Sequence, residues 1–173
     1  MEKLHTLVAL AENKPAVLNR VMSLLRRRGF NIESLTAGHT EVPDISRITI
    51  VVGGDDAVVE QVSKQLYKVL EIIRVSDVTA DETVDRELAL IKVSCTASNR
   101  GEIMQLAEIF RAKIVDVAPD SMMIEVTGTT EKVDSLAGLV RSYGIKEMVR
   151  TGLVSMLRGV RGTTRVSDSD ESK

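Results

Sequence analysis

What most constrains this chain is the order in which its apolar residues change period. Leu4 to Leu10 is a short, nearly continuous apolar run, suited to a buried strand. After Asn13-Lys14-Pro15 the period lengthens, and Val17, Val21, Leu24 and Leu25 fall on one helical face. Gly29 stands where a left-handed residue would close that helix. Asn31 to Gly38 reads as a strand, Pro43-Asp44 as a loop, and Arg47 to Val52 alternates as a half-buried strand does. Gly53-Gly54-Asp55-Asp56 breaks that strand and supplies acids to the start of a helix marked by Val58, Val59, Val62, Leu66 and Val69. Ile72 to Val78 is a fourth strand.

The same βαββαβ succession then returns. Leu88 to Thr96 is a strand, and Asn99-x-x-Glu102 has the form of a capping box ahead of Ile103, Leu106, Ala107 and Phe110. Lys113 to Val117 and Met122 to Thr127 are strands around a Pro119-Asp120 turn. Val133, Leu136, Ala137 and Val140 mark another helix, Gly144 stops it, and Ile145 to Leu157 contains a last strand. The expected class is α+β, with two βαββαβ domains, each an antiparallel sheet with two helices on one face. The first domain is residues 1–78. A polar linker follows at 79–86, then the second domain at 87–158 and a tail at 159–173 that lacks apolar periodicity and is expected to be disordered.

Composition excludes several functions. The 173 residues carry a formal net charge of −2, so no strong field favours nucleic acid or an anionic membrane. No segment approaches the ~18 apolar residues of a transmembrane helix, and Met1 to His5 does not begin a secretory signal. The single cysteine, Cys95, cannot form an internal disulfide and fits a reducing cytoplasm. His5 and His39 lack ligand partners at a metal-binding spacing, and Cys95 lacks a CxxC partner. No phosphate loop is present, and Arg26-Arg27-Arg28 is a helix end suited to the macrodipole. Neither a catalytic nor a metal-binding constellation is expected. The informative junction is Asn13-Lys14-Pro15-Ala16-Val17-Leu18. There Asn13 can cap, Pro15 suits a first helical turn, and the free N–H groups suit a small carboxylate.

This junction resembles the ligand-binding loop of the ACT domain, a ferredoxin-like βαββαβ module of amino-acid metabolism. The usual form of that loop is Asp or Asn, any residue, Pro, Gly, an apolar residue, Leu. Only Ala16, at the glycine, departs from it. Downstream, Arg28-Gly29-Phe30-Asn31-Ile32-Glu33-Ser34-Leu35-Thr36 is similar to the signature of the acetohydroxyacid (acetolactate) synthase small subunit. So are Ser46-Arg47-Ile48-Thr49-Ile50, Gln65-Leu66-Tyr67-Lys68 and Arg74-Val75. The second half continues the likeness with Arg86 to Val93, Glu108 to Ala112, Ile114 to Val117 and Arg150-Thr151-Gly152, so that it covers residues 2 to 158.

The resemblance implies a non-catalytic regulatory subunit. Such a chain docks on a large catalytic subunit that joins two 2-oxoacids with loss of carbon dioxide. It activates that subunit and confers feedback inhibition by a branched-chain amino acid: valine, or else leucine or isoleucine. Thiamine diphosphate, magnesium and FAD are expected in the large subunit and none in this chain. The effector residues carried over are Asn13, Lys14, Pro15, Ala16, Val17, Asn31 and Ile32. A homodimer through the ACT domain is expected, paired along Asn31 to Gly38, with the effector at the interface. At Ala16 a Cβ leaves the N–H donor intact but strains the backbone if φ is positive. An amino-acid-responsive transcription regulator is the alternative. It would need a DNA-reading helix-turn-helix or basic ribbon, and neither is evident. A small phosphate hydrolase would want an arginine where the loop has Lys14, and an RNA binder would want stacking aromatics, yet the chain has two phenylalanines.

Overall fold

The computed structural model describes residues 3–159; the expected disordered tail therefore lies, but for Gly159, outside the described residues. Two compact units divide the chain. Among the described residues, one holds those up to Val84 together with Ser155 to Gly159, and the other is Asp85–Val154.

In the first unit the order is β1 (Leu4–Glu12), α1 (Val17–Arg27), β2 (Asn31–His39), β3 (Ile45–Gly53), α2 (Asp56–Leu66) and β4 (Ile72–Asp77). The antiparallel sheet has the strand order β2-β3-β1-β4, so β2 and β4 are its edges. Leu7, Ala9 and Ala11 of β1 join Ile48, Ile50 and Val52 of β3 in a core with Val17, Val21 and Leu25 of α1 and Val59, Val62 and Leu66 of α2. The i, i+4, i+8 spacing on α1 places one stripe against the sheet. Each fully buried Leu, Ile or Val contributes about 1.5–3 kcal/mol relative to exposure. Val8 and Leu10 are buried too, on the opposite face of β1, which explains why β1 reads as a continuous apolar run rather than an alternating one. Asp55 caps α2, its side chain accepting from Val58 N at 2.9 Å. Gly54, at φ +152°, has to be glycine, because a Cβ there would meet Val58 Cβ at 2.8 Å.

The second unit repeats the order with β5 (Thr83–Ser94), α3 (Arg100–Ile109), β6 (Lys113–Val117), β7 (Ser121–Gly128), α4 (Thr130–Val140), a 3-10 turn (Arg141–Tyr143) and β8 (Ile145–Arg150); β9 (Val154–Leu157) follows. The strand order is β6-β7-β5-β8, and β9 pairs with β5. Its core joins Ala89, Ile91 and Val93 to Ile103, Ala107, Ile124, Val133 and Leu136.

Three local expectations change. Thr83 to Arg86, read as linker, already belong to β5, which leaves 79–82 as the connection. The last strand divides at Thr151-Gly152-Leu153, where Gly152 has φ +83°. Its second piece, from Ser155, groups with the first unit rather than the second. Arg158 N donates to Glu82 O at 2.9 Å, and Arg47 Nη2 donates to Ser155 O at 2.5 Å. Finally, Asn99 is the N-cap of α3 but its side chain makes no cap hydrogen bond: its Oδ1 accepts from Thr96 N at 2.7 Å, and Glu102 accepts from the Tyr143 hydroxyl at 3.0 Å.

Candidate functional site

The turn from β1 into α1 is built from Asn13 to Ala16. Asn13 N donates to Asp44 O at 2.8 Å and Lys14 N to Glu12 O at 2.9 Å, which pins the end of β1 beside the loop ahead of β3. The chain must then reverse sharply, and Ala16 makes the reversal at φ 69°, ψ 0°, in the left-handed region. Ala16 is the N-cap and has no side-chain cap hydrogen bond. Pro15 therefore precedes the cap rather than occupying the first helical turn. The helix proper opens with Val17, and Arg20 N donates to Ala16 O at 3.0 Å. The N–H groups of Ala16, Leu18 and Asn19 find no backbone acceptor among the described residues. Such groups at a helix start carry partial positive charge and suit a carboxylate.

Asn13 does not cap the helix. Its Nδ2 lies 3.4 Å from His39 Nδ1 and 3.5 Å from Pro43 O, and its Oδ1 accepts from Ser46 Oγ at 3.2 Å. The side chain turns away from α1 because Ser46 of β3 and His39 of β2 offer it partners across the sheet end. A cavity of about 300 Å³ opens here, with Ala11, Val17, Leu18 and Ile48 as its apolar wall and Glu12, Asn13, Lys14, His39 and Ser46 as its polar one. Lys14 Nζ sits 2.5 Å from Glu12 Oε2, and the carboxylate holds the lysine above its ordinary pKa. Both side chains are well exposed, so the pair sets local charge more than stability.

Asn31 and Ile32 are elsewhere. They line a second cavity, of about 580 Å³, with Met22, Arg26 and Phe30. Register shows how far apart the two groups are. Glu12 faces Ile45 at one end of β3, whereas Asn31 faces Gly53 at the other. At ~3.3 Å per residue that separation is roughly 25 Å along the strand. One chain thus brings Asn13, Lys14 and Val17 together, with Pro15 and Ala16 forming the turn, and leaves Asn31 and Ile32 at the far end of the sheet. The residues that sequence reading missed, His39 and Ser46, enter through cross-strand register. No local motif announces them.

Among the described residues no group of three or more His, Cys, Asp or Glu could hold a metal ion. No helix among them is long and apolar enough to cross a membrane.

Comparison with known proteins agrees with this architecture in both halves. Residues 7–74 match the family of AHAS small subunit-like ACT domains, and residues 86–159 match the family described as the small subunit of acetolactate synthase. A protein of Archaeoglobus fulgidus named "probable acetolactate synthase small subunit" is 60% identical over 90% of this chain and 97% of its own length. The acetolactate synthase small subunit of Mycolicibacterium smegmatis is 51% identical over 91% of this chain and 93% of its own. The crystal structure of the acetolactate synthase small subunit from Thermotoga maritima superposes with a TM-score of 0.83 at 42% identity, covering 91% of this chain and 98% of that one. With two βαββαβ halves in one chain, each matched by its own family and both spanned by full-length relatives, the chain belongs to the acetolactate synthase small subunits, the regulatory rather than the catalytic component of that enzyme.

Proposed function

We propose that the first unit senses a branched-chain amino acid, valine in the first instance, and that the chain uses it to inhibit a catalytic subunit which it otherwise activates. The observation that carries this reading is the cavity at the β1–α1 turn. A free amino acid is a zwitterion with a small apolar side chain, and the cavity matches each part. The unpaired N–H groups at the start of α1 suit the carboxylate. Glu12 and the Asn13 carbonyl suit the ammonium, while Val17, Leu18 and Ile48 suit the aliphatic side chain. Discrimination among valine, leucine and isoleucine is modest, because one methylene in an apolar pocket is worth only about 1–3 kcal/mol.

Asn31 and Ile32 join this site from a second copy. In an antiparallel pairing of two β2 edges centred on Leu35, the middle of the strand, Asn31 of one copy stands opposite His39 of the other. His39 lines the cavity that holds Asn13. A ligand there bridges two chains, so its binding changes their packing in a way that a third protein can feel. Coupling of this kind is typically ~1–3 kcal/mol, or about 5- to 150-fold in affinity. On this reading thiamine diphosphate, magnesium and flavin belong to the catalytic subunit.

The test is a valine inhibition curve for the complex reconstituted with the catalytic subunit, using wild-type chain, Asn13→Ala and Asn31→Ala. Both variants are expected to relieve inhibition and retain activation. Wild-type inhibition and activation in both would refute the site.

A further inference from the structure

The far edge of the first sheet carries a device that neither the family nor the effector site explains. Among the described residues β4 pairs with β1 alone. Its ladder to β1 is marked by Val78 N donating to Thr6 O at 3.0 Å and by the pairing of Ser76 with Val8. Inward and outward backbone groups alternate along an antiparallel strand. Val75, opposite Ala9, therefore directs its N–H and C=O away from β1, toward the open edge.

Both groups are taken by one side chain. Tyr67, the residue that closes α2, reaches across so that its hydroxyl accepts from Val75 N at 3.0 Å and donates to Val75 O at 3.2 Å. A neighbouring strand would make the same two bonds. The surroundings would otherwise favour such a strand: Leu70 is 96% exposed and Ile73 39%, beside a strand with the sequence Ile72-Ile73-Arg74-Val75. Exposed apolar edges of this kind invite pairing with another chain.

We propose that Tyr67 is an edge lock: its hydroxyl occupies the middle of the β4 edge and bars a second copy of this chain from adding a strand there. The consequence concerns assembly. A sheet that can be extended at both edges grows into an open ribbon, whereas one extended at a single edge closes as a pair. By blocking β4, Tyr67 confines sheet extension to β2. The lock acts at β4 whatever β2 does, so it stands or falls separately from the proposed dimer.

The experiment is to follow weight-average mass by light scattering over micromolar to millimolar concentration for the full chain, for Tyr67→Phe and for Tyr67→Phe combined with Val75→Pro. Removing the hydroxyl is expected to produce species at least twice the wild-type mass that grow with concentration. Proline at 75 deletes the outward N–H that an incoming strand needs, and edge strands tolerate it, so the double variant is expected to return to the wild-type mass. A well-folded Tyr67→Phe chain with the wild-type mass throughout overturns the proposal, as does a double variant that still grows. If Tyr67→Phe fails to fold, hydrogen exchange on the wild-type chain decides. Asp77, opposite Leu7 in the same unbroken register, also faces its N–H outward; protection of the Val75 amide, with faster exchange at Asp77, is expected from the lock, and a Val75 amide that exchanges as fast as Asp77 refutes it.

Discussion

Replacing Ala16 by glycine tests the turn at the heart of the site, and the sign of the effect is itself informative. In a right-handed helical position, alanine to glycine costs about 0.8–1 kcal/mol. Ala16 has φ 69°, where a Cβ crowds the following carbonyl and costs roughly 1–2 kcal/mol. Glycine relieves that strain but gives the unfolded chain more freedom, which offsets about 0.4–1 kcal/mol of the gain. The N-cap preference also favours glycine over alanine. The net expectation is a stabilisation of about 0.5–1 kcal/mol. For a chain of this size that corresponds to a rise of ~1–4 °C in melting temperature. Chemical denaturation of Ala16→Gly beside Ala16→Val gives the cleanest reading, because a β-branched residue at positive φ is expected to shift stability the opposite way. A loss of about 1 kcal/mol in the glycine variant would refute the left-handed assignment and the geometry of the unpaired N–H groups with it. On the proposed function the same variant keeps every N–H donor, so valine is expected to bind at least as tightly, by calorimetry.

Three further outcomes follow from particular contacts. Glu87 is 5% exposed, and burial holds its carboxyl above the ordinary 4.5, with Arg150 pulling the other way. Between pH 4.5 and that raised native value the unfolded chain has lost a proton that the folded chain keeps, so stability falls as pH rises through the window. Glu87→Gln is therefore expected to be more stable than wild type at neutral pH, with the advantage vanishing below pH 4.5 in denaturation curves taken across pH. Asp55→Ala is expected to cost ~1 kcal/mol in urea melts, since it frees the Val58 N–H at the start of α2. Purified chain supplied with pyruvate, thiamine diphosphate and magnesium is expected to form no acetolactate in a colorimetric assay; turnover would contradict its place as a regulatory component.

Much of the architecture was already present in the order of apolar periods. β1, α1 and β3 follow from local patterns because burial acts on each strand or helix through its own repeat, whatever it packs against. The Asn13–Leu18 junction and the Arg28–Thr36 run also pointed to their family as they stand in the chain. What only the tertiary structure decided are relations between distant residues. Asn13 reads locally as a cap, yet it turns to His39 and Ser46 because β2 and β3 bring better partners to that end of the sheet. Thr83 to Arg86 read as a polar linker, and become strand because β9 supplies β5 with a neighbour encoded some 70 residues later. Asn31 and Asn13 lie 18 positions apart in sequence and at opposite ends of β3, a separation set by strand register. Local periodicity specifies which face of an element is apolar, whereas register depends on which strands meet, and that is settled only when the whole sheet forms.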